Sequence, residues 1–240
     1  AIVEADADLQ VAARRIAVTK FSNAGQMCIA PDYVLVHRSK KAALVEALKN
    51  AIRQFYSEDP STDYSYGKII NQRQFTRIQS YLGQGKILHG GKTDSRLMYI
   101  EPTIMGDVPL DAPLMQEEIF GPILPVLGFE HASEALQIIE KNPEPLALYL
   151  FTRSKKKEDY YLGNISFGGG CINNTSWHFT NPYLPFGGRG GSGIGAYHGR
   201  TGFDTFTHRK SIMKTPLWFD PSLKYPPFKG KLNLFKKIIR

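Results

Sequence analysis

The most reactive side chain in this sequence is the thiol of Cys28, which follows the glycine Gly25 at a distance of three residues. Glycine permits a tight turn and a close approach of the backbone. A thiol just past such a turn lies near free backbone N–H groups, which favour the thiolate and can hold an oxyanion on an attacked carbonyl. The alternative is an inert core cysteine, because free cysteines are among the most buried residues. The flanking residues must decide between the two.

A carboxylate and an aromatic ring occur two residues apart, at Glu118 and Phe120. A carboxylate can accept hydrogen bonds from the adjacent hydroxyls of a ribose, and an aromatic ring can pack against a flat heterocycle. The alternative is a helix-capping glutamate beside a core phenylalanine, which spacing alone favours. Two histidines, His178 and His198, are candidate bases.

The elements that must position these residues alternate between helices and strands. An amphipathic helix is capped by Asp6 or Asp8 and stops at Ser22–Gly25, directly before Cys28. Further apolar patterns predict strands at 33–36, 86–89, 99–105, 123–127, 146–151 and 169–173. They also predict a helix capped by Ser39 and helices at 75–82, at 133–141 and at 158–162. This alternation predicts an α/β fold with a largely parallel twisted sheet flanked by helices.

Three motifs resemble the aldehyde dehydrogenase superfamily. Gly25–Cys28 matches its glycine-glutamine-x-cysteine loop, and Glu117–Pro122 matches its glutamate-x-phenylalanine-glycine-proline motif. Pro185–Gly188, followed by Ser192–Gly193, matches its late glycine-rich loop. All three occur in the family's order, and the resemblance covers roughly Ala1–Pro227.

The resemblance implies a role for each candidate residue. Cys28 is then the catalytic nucleophile, and Glu118 and Phe120 hold the nicotinamide ribose and ring of NAD or NADP. Asn173 resembles a family asparagine that supports the site, and Phe186 belongs to the loop that supports the wall of the substrate tunnel. The family's base is a glutamate, so His178 and His198 are interpreted as structural, as is Cys171.

The sequence after the late glycine loop, Gly195–Gly199 and Phe206–Arg209, resembles the class 3 branch. The implied function is NAD(P)-dependent oxidation of aldehydes to carboxylic acids through a cysteine thiohemiacetal and thioester. In the family, the general-base glutamate and the dinucleotide-binding half precede the stretch that looks like Ala1–Val3. The isolated chain is therefore expected to be a fragment that is inactive by itself.

Three alternatives stay open at this point. A related enzyme could pass the acyl group to coenzyme A instead of water, although the class 3 character of Tyr197 and His198 disfavours this. A cysteine hydrolase could use His178 or His198 as its base, which would leave the motif around Glu118 unexplained. A truncated, non-catalytic chain could serve only as a dimer partner.

Composition excludes several other classes of protein. Only two cysteines occur, Cys28 and Cys171, so no disulfide framework is expected and a reducing, cytoplasmic location is favoured. The net charge is +8, but five basic residues lie within 228–240, which leaves +3 for the rest and argues against a nucleic-acid partner. No apolar run is long enough to cross a bilayer, no secretory leader is recognised, and no metal site is predicted.

The sequence divides into three segments: a catalytic thiol domain over 1–202, an oligomerisation strand and extended arm over 203–227, and a basic amphipathic tail over 228–240. A weak alternation over Phe203–Met213 predicts a strand whose unpaired edge favours a homodimer.

Drawn as a helix, the tail places Phe228, Leu232, Phe235 and Ile239 on one face, flanked by its five basic residues. This pattern is typical of a peripheral membrane contact. A helix docked on its own protein, or a solvated end, is the alternative.

Overall fold

Strands and helices alternate along most of the chain in the computed structural model, which describes residues 1–238. The strands are β1 (Ile2–Val3), β2 (Val34–His37), β3 (Lys86–His89), β4 (Thr93–Asp94), β5 (Tyr99–Ile100), β6 (Thr103–Gly106), β7 (Ile123–Phe129), β8 (Ala147–Phe151) and β9 (Gly169–Ile172). The helices are α1 (Leu9–Phe21), α2 (Lys41–Tyr56), α3 (Gln72–Ser80), α4 (Pro113–Gln116), α5 (Ala132–Ile139), α6 (Lys155–Asn164), α7 (Trp177–Thr180), α8 (Gly199–Thr205) and α9 (Leu232–Ile238).

Seven strands form one sheet in the order β3-β6-β7-β2-β1-β8-β9. Every neighbouring pair is parallel except β3 with β6. The register is fixed at the centre, where Ile2 pairs with Leu35 on one side and Leu150 on the other. Strands buried on both faces read as continuous apolar runs, and β2 and β8 do so. The predicted α/β class with a largely parallel sheet is confirmed.

Helix α1 shows how the sequence produces these elements. The Asp8 side chain caps it by accepting a hydrogen bond from the Val11 N–H at 3.1 Å, while Asp6 bonds instead to Thr152 and the backbone N–H of Arg153. The buried face of α1 consists of Ala12, Ala13, Ile16, Ala17, Thr19, Lys20 and Phe21. A lysine within this face is unexpected, because buried ammonium groups are costly.

Two local predictions were wrong. Ser39 does not cap α2, because residues 38–40 form a short 3-10 turn and the Ser39 hydroxyl contacts the His37 ring at 2.8 Å. The predicted strand at 99–105 is divided between β5, which pairs with β4, and β6, which joins the main sheet. The division falls at Pro102, which has no N–H to donate to a sheet ladder.

The segment Phe203–Met213, predicted as an oligomerisation strand, forms no strand within the single described chain, and its pairing with a second copy stays a prediction. Its first residues belong to α8, where Arg200 and Asp204 form an i,i+4 ion pair at 3.1 Å, and residues 207–216 have no regular structure. A lone strand leaves its backbone groups unpaired, and within the described residues no neighbouring strand pairs with this segment.

Helix α9 begins only at Leu232, because Gly230 adopts the left-handed region with φ at 81°. The helix in the tail is therefore shorter than the one that the sequence pattern predicts. Ile239, which the prediction placed on the apolar face, and Arg240 lie outside the described residues.

The chain forms two compact units, Ala1–Phe206 and the segment from Thr207 onward. The first contains the whole sheet. Among the described helices, none combines the length and apolarity needed to cross a membrane.

Candidate active site

The amino edge of the sheet brings together the loops that carry the three motifs. The Cys28 loop runs into β2, and the Glu118 loop runs into β7, the parallel neighbour of β2. The late glycine loop reaches the same edge, because Gly187 packs against Gly168, just before β9. Residues far apart in sequence therefore meet where parallel strands begin.

The loop that precedes Cys28 has an unusual backbone. Asn23 and Ala24 both have φ at 51° and Gly25 has φ at 74°, so three successive residues lie in the left-handed region. A Cβ at Gly25 would overlap the carbonyl oxygen of Gly121 and lie 3.0 Å from that of Lys20. Only glycine fits this contact, which joins the Cys28 loop to the Glu118 loop.

The side chain of Gln26 anchors the same loop to a neighbouring segment. Its amide nitrogen donates to the carbonyl oxygens of Asn23 at 2.9 Å and Lys68 at 3.0 Å, while its oxygen accepts from the Ile70 N–H at 3.0 Å. An amide side chain can donate and accept at once, so it satisfies backbone groups that no secondary structure pairs.

Cys28 itself is exposed, in a turn closed by the Ala30 N–H to the Met27 carbonyl at 3.0 Å. Within the part of the chain that the structure describes, the Cys28 N–H has no acceptor. The buried Tyr149 hydroxyl donates to the Ile29 carbonyl at 2.7 Å, which fixes the turn to strand β8 in the interior. An accessible thiol beside a free N–H matches the arrangement needed to attack a carbonyl and hold the resulting oxyanion.

The Glu118 loop is braced through its backbone. Ile119 is buried, and its N–H donates to a carboxylate oxygen of Asp32 at 3.1 Å. The Arg77 guanidinium donates to the carbonyl oxygens of Glu118 at 3.2 Å and Ile119 at 2.8 Å. Fixing the backbone on both sides leaves the flanking side chains free to face outward.

Glu118 and Phe120 are both exposed, as is Glu117 before them, and Phe120 is 38% exposed at a strained φ of 44°. Partial desolvation and the charge of Asp32 raise the pKa of Glu118, while Arg77 and Lys20 oppose the shift. Among the described residues, no group donates a hydrogen bond to its carboxylate. A free carboxylate two residues from an outward ring fits a ribose and its attached heterocycle.

Phe186 lies in a cluster of rings. It forms an isolated antiparallel bridge with Tyr197, and its ring centre is 5.8 Å from that of Tyr197, 5.0 Å from Phe179 and 6.0 Å from His178. His178 in turn packs edge-on against Tyr149, 5.9 Å away. The cluster therefore connects the late glycine loop to the tyrosine beneath the Cys28 turn.

Asn173 lies elsewhere. It follows the carboxyl end of β9, whereas the other candidates lie at the amino edge. Its side chain exchanges two hydrogen bonds with the Thr152 backbone, at 2.8 and 3.0 Å, and its carbonyl accepts from Arg15. It joins the ends of β8 and β9, and any support that it gives to the site passes through the loop that follows.

The two candidate histidines are placed differently. His178 is buried, burial lowers its pKa, and its Nδ1 lies 3.6 Å from the thiol of Cys171. Burial also raises the pKa of Cys171. His198 is half-buried and its Nδ1 contacts the Leu184 carbonyl at 3.0 Å. Each ring contacts something other than Cys28, which disfavours a cysteine hydrolase.

Comparison with known proteins decides the family. The model of the "Aldehyde dehydrogenase family" matches residues 1–212. The chain belongs to the aldehyde dehydrogenase family.

Its relatives include enzymes of the class 3 branch. The chain is 44% identical over 232 residues to the dimeric NADP-preferring aldehyde dehydrogenase of Rattus norvegicus, covering 96% of this chain and 51% of the relative. It is 40% identical over 244 residues to aldehyde dehydrogenase family 3 member H1 of Arabidopsis thaliana, covering 99% and 50%. A solved structure, the substrate-bound state of Staphylococcus aureus AldH, superposes with a TM-score of 0.92 at 44% identity, covering 100% and 53%. The chain thus spans about half the length of these relatives.

Several site residues of this aldehyde dehydrogenase chain escaped the sequence analysis. Tyr149, Arg77, Asp32 and Lys20 lie in strands, helices or loops without any motif of their own. Gln26 belongs to the motif Gly25–Cys28, but the sequence alone assigns no function to its side chain. Only the polar Lys20 inside an apolar helix face carries a signal in the sequence.

Gly25→Ala should disrupt the contact with Gly121 and displace the Cys28 loop. The expected result is slower reaction of Cys28 with a thiol reagent and loss of about 1–3 kcal/mol of stability, since the new methyl meets backbone and φ is positive. Thiol labelling and urea unfolding measure both. Gly163→Ala is the matched control, because no atom lies within 4 Å of its Cβ position. Labelling at the wild-type rate in Gly25→Ala would contradict the role of the contact.

Proposed function

We propose that this chain is the part of an NAD(P)-dependent aldehyde dehydrogenase that carries the thiol and the nicotinamide clamp, and that the whole enzyme oxidises aldehydes to carboxylic acids. The observation that carries the proposal is the backbone contact of Gly25 with Gly121. It places the loop of the exposed Cys28 against the loop of Glu118 and Phe120. A nucleophile beside a cofactor clamp is what thiol-dependent oxidation requires.

The chemistry starts at Cys28. Its thiolate forms a carbon–sulfur bond to the aldehyde carbon while the carbonyl π bond breaks, which gives a thiohemiacetal whose oxygen faces the free Cys28 N–H. When bound, the nicotinamide cofactor supplies the acceptor for the hydride, so that this carbon is oxidised to a thioester on Cys28. Water then adds to the thioester carbon, the carbon–sulfur bond breaks, and the carboxylic acid leaves with the thiolate restored.

Glu118 and Phe120 would hold the cofactor. The ionised Glu118 carboxylate can accept hydrogen bonds from both ribose hydroxyls, and the Phe120 ring can pack against the nicotinamide. Either NAD or NADP is compatible with this site. The two cofactors differ at the adenosine ribose, and the residues described here are proposed to contact only the nicotinamide end. The rat relative is named as NADP-preferring.

Replacing Cys28 tests the nucleophile. Cys28→Ala in the full-length protein should lower aldehyde-dependent NAD(P)H production by several orders of magnitude, because the covalent step is removed. Cys171→Ala is the matched control and should keep most of the turnover. The coenzyme A alternative predicts acyl-coenzyme A instead of the acid as product, and a truncated dimer partner predicts no turnover even with Cys28 intact.

Replacing Glu118 tests the clamp. Glu118→Gln should weaken NAD(P)H binding and hydride transfer by about 1.5–3 kcal/mol, the contribution of a hydrogen bond to a charged group. Glu117→Gln is the control, because that carboxylate accepts the Tyr81 hydroxyl at 2.8 Å and a Gln oxygen can do the same. Fluorescence titration with NADH measures the affinities. Equal affinity of Glu118→Gln and wild type would remove Glu118 from the clamp.

A homodimer and a cytoplasmic location are part of the proposal. The rat relative is named as dimeric. The segment from Thr207 onward exposes large apolar side chains, including Leu217 and Trp218, which favours burial against another surface. Sedimentation equilibrium should give twice the mass of the full-length chain. A reducing compartment follows from the two unpaired thiols.

Peripheral membrane contact through the tail completes the proposal. Phe228 and Phe235 are in ring contact with centroids 6.0 Å apart, and Leu232 beside them is 64% exposed. Lys231, Lys236 and other basic residues accompany this apolar group. Exposed apolar side chains among lysines suit the interface of an anionic bilayer.

Co-sedimentation with anionic vesicles tests the tail. Deleting 228–240 should abolish binding at low salt, because each basic residue near the surface contributes about 1 kcal/mol. A Phe228→Ser, Leu232→Ser double variant keeps the charge but should bind less tightly and become more sensitive to salt. Equal sedimentation of the deleted and intact proteins would show that the tail does not bind membranes.

A further inference from the structure

Lys20 is a charged side chain in a place where charge is costly. It lies in the last turn of α1, it is fully buried, and its Nζ has no hydrogen-bond partner in the part of the chain that the structure describes. An ammonium without a partner in a protein interior is retained only where other charges compensate it. Its surroundings must therefore supply that compensation.

Three segments of the proposed active site meet around Lys20. Its carbonyl oxygen is 3.0 Å from the Cβ position of Gly25, the residue that contacts Gly121. Asp32, in the loop before β2, holds the Ile119 N–H at 3.1 Å, and Ile119 follows Glu118. The end of α1 is thus packed where the Cys28 and Glu118 loops come together, and its ammonium is within electrostatic reach of the Asp32 and Glu118 carboxylates.

The two carboxylates disfavour each other's ionisation. Burial raises the pKa of Asp32, and desolvation together with the Asp32 charge raises the pKa of Glu118. Lys20 from α1 and Arg77 from α3 oppose both shifts. Among the described side chains, the Tyr33 hydroxyl also faces Asp32. Burial lowers the pKa of Lys20 to about 8, so it is still mostly charged at neutral pH.

We propose that Lys20 is a positioning residue for cofactor binding: its buried ammonium compensates Asp32 and keeps the Glu118 carboxylate ionised for the ribose hydroxyls. This inference rests on the proposed function of Glu118. An ionised carboxylate accepts at both oxygens, whereas a protonated one has an O–H of its own to place. Without Lys20, Arg77 is the remaining cationic side chain that offsets the repulsion between the Asp32 and Glu118 carboxylates. One of the two carboxylates then gains a proton more easily.

Binding of NADH to the full-length protein, followed by fluorescence between pH 5 and 8, tests this role. Lys20→Met should move the acidic midpoint of binding to higher pH by about one unit, the scale of a lost neighbouring charge. Asp32→Asn should move it to lower pH, and the Lys20→Met, Asp32→Asn double variant should return it near that of wild type. Lys49→Met is the control and should not move it, because Lys49 lies in α2 and its ammonium pairs with Glu46.

An unchanged midpoint in Lys20→Met, or a double variant no closer to wild type than Lys20→Met, would overturn the inference. If Lys20→Met does not fold, the midpoint of Asp32→Asn decides. A shift to lower pH supports the proposal, and an unchanged midpoint contradicts it. Glu118→Gln separates the two hypotheses. If it binds NADH like wild type, the clamp itself is wrong; if it binds weakly while the Lys20 variants keep their midpoints, only the role of Lys20 is wrong.

Discussion

The contact of Gly25 with the Gly121 carbonyl is the constraint on which the site depends. It leaves no room for a Cβ, and it occurs where the backbone turns left-handed at the end of α1. Two loops that enter neighbouring parallel strands are thereby held at van der Waals distance. The exposed thiol of Cys28 and the outward side chains of Glu118 and Phe120 then share one edge of the sheet.

Loops this close together contain backbone groups that no sheet or helix pairs, and polar side chains satisfy them. Gln26 binds three backbone groups, Arg77 binds two carbonyls, Asp32 binds one N–H, and the Tyr149 hydroxyl binds the Ile29 carbonyl. Leaving such groups unpaired would cost about 1–3 kcal/mol each. The same bonds hold the Cys28 loop and the loop of the proposed cofactor clamp in a fixed position relative to each other.

The side chains that bind these loop backbones also bring charge into the interior. Asp32 fixes the Ile119 N–H, but its buried carboxylate raises the pKa of the adjacent Glu118. A second buried charge, Lys20, offsets this effect at the cost of its own hydration. Substitutions in this cluster should therefore change stability, and also cofactor binding if Glu118 holds the cofactor as proposed.

Local sequence determined most of the helices and strands of the main sheet and the residues with reactive side chains. The run from Asp8 to Phe21 makes α1, and the motifs around Cys28 and Glu118 identify the family without any coordinates. Only the tertiary structure decided that Tyr149 supports the Cys28 turn and that Asn173 lies at the opposite edge of the sheet. The first relation joins residues more than a hundred positions apart, and the second depends on the order of the strands in the sheet. The periodicity of a single segment specifies neither long-range contacts nor strand order. The absent strand after α8 has the same cause, because a strand forms only where another chain segment pairs with it.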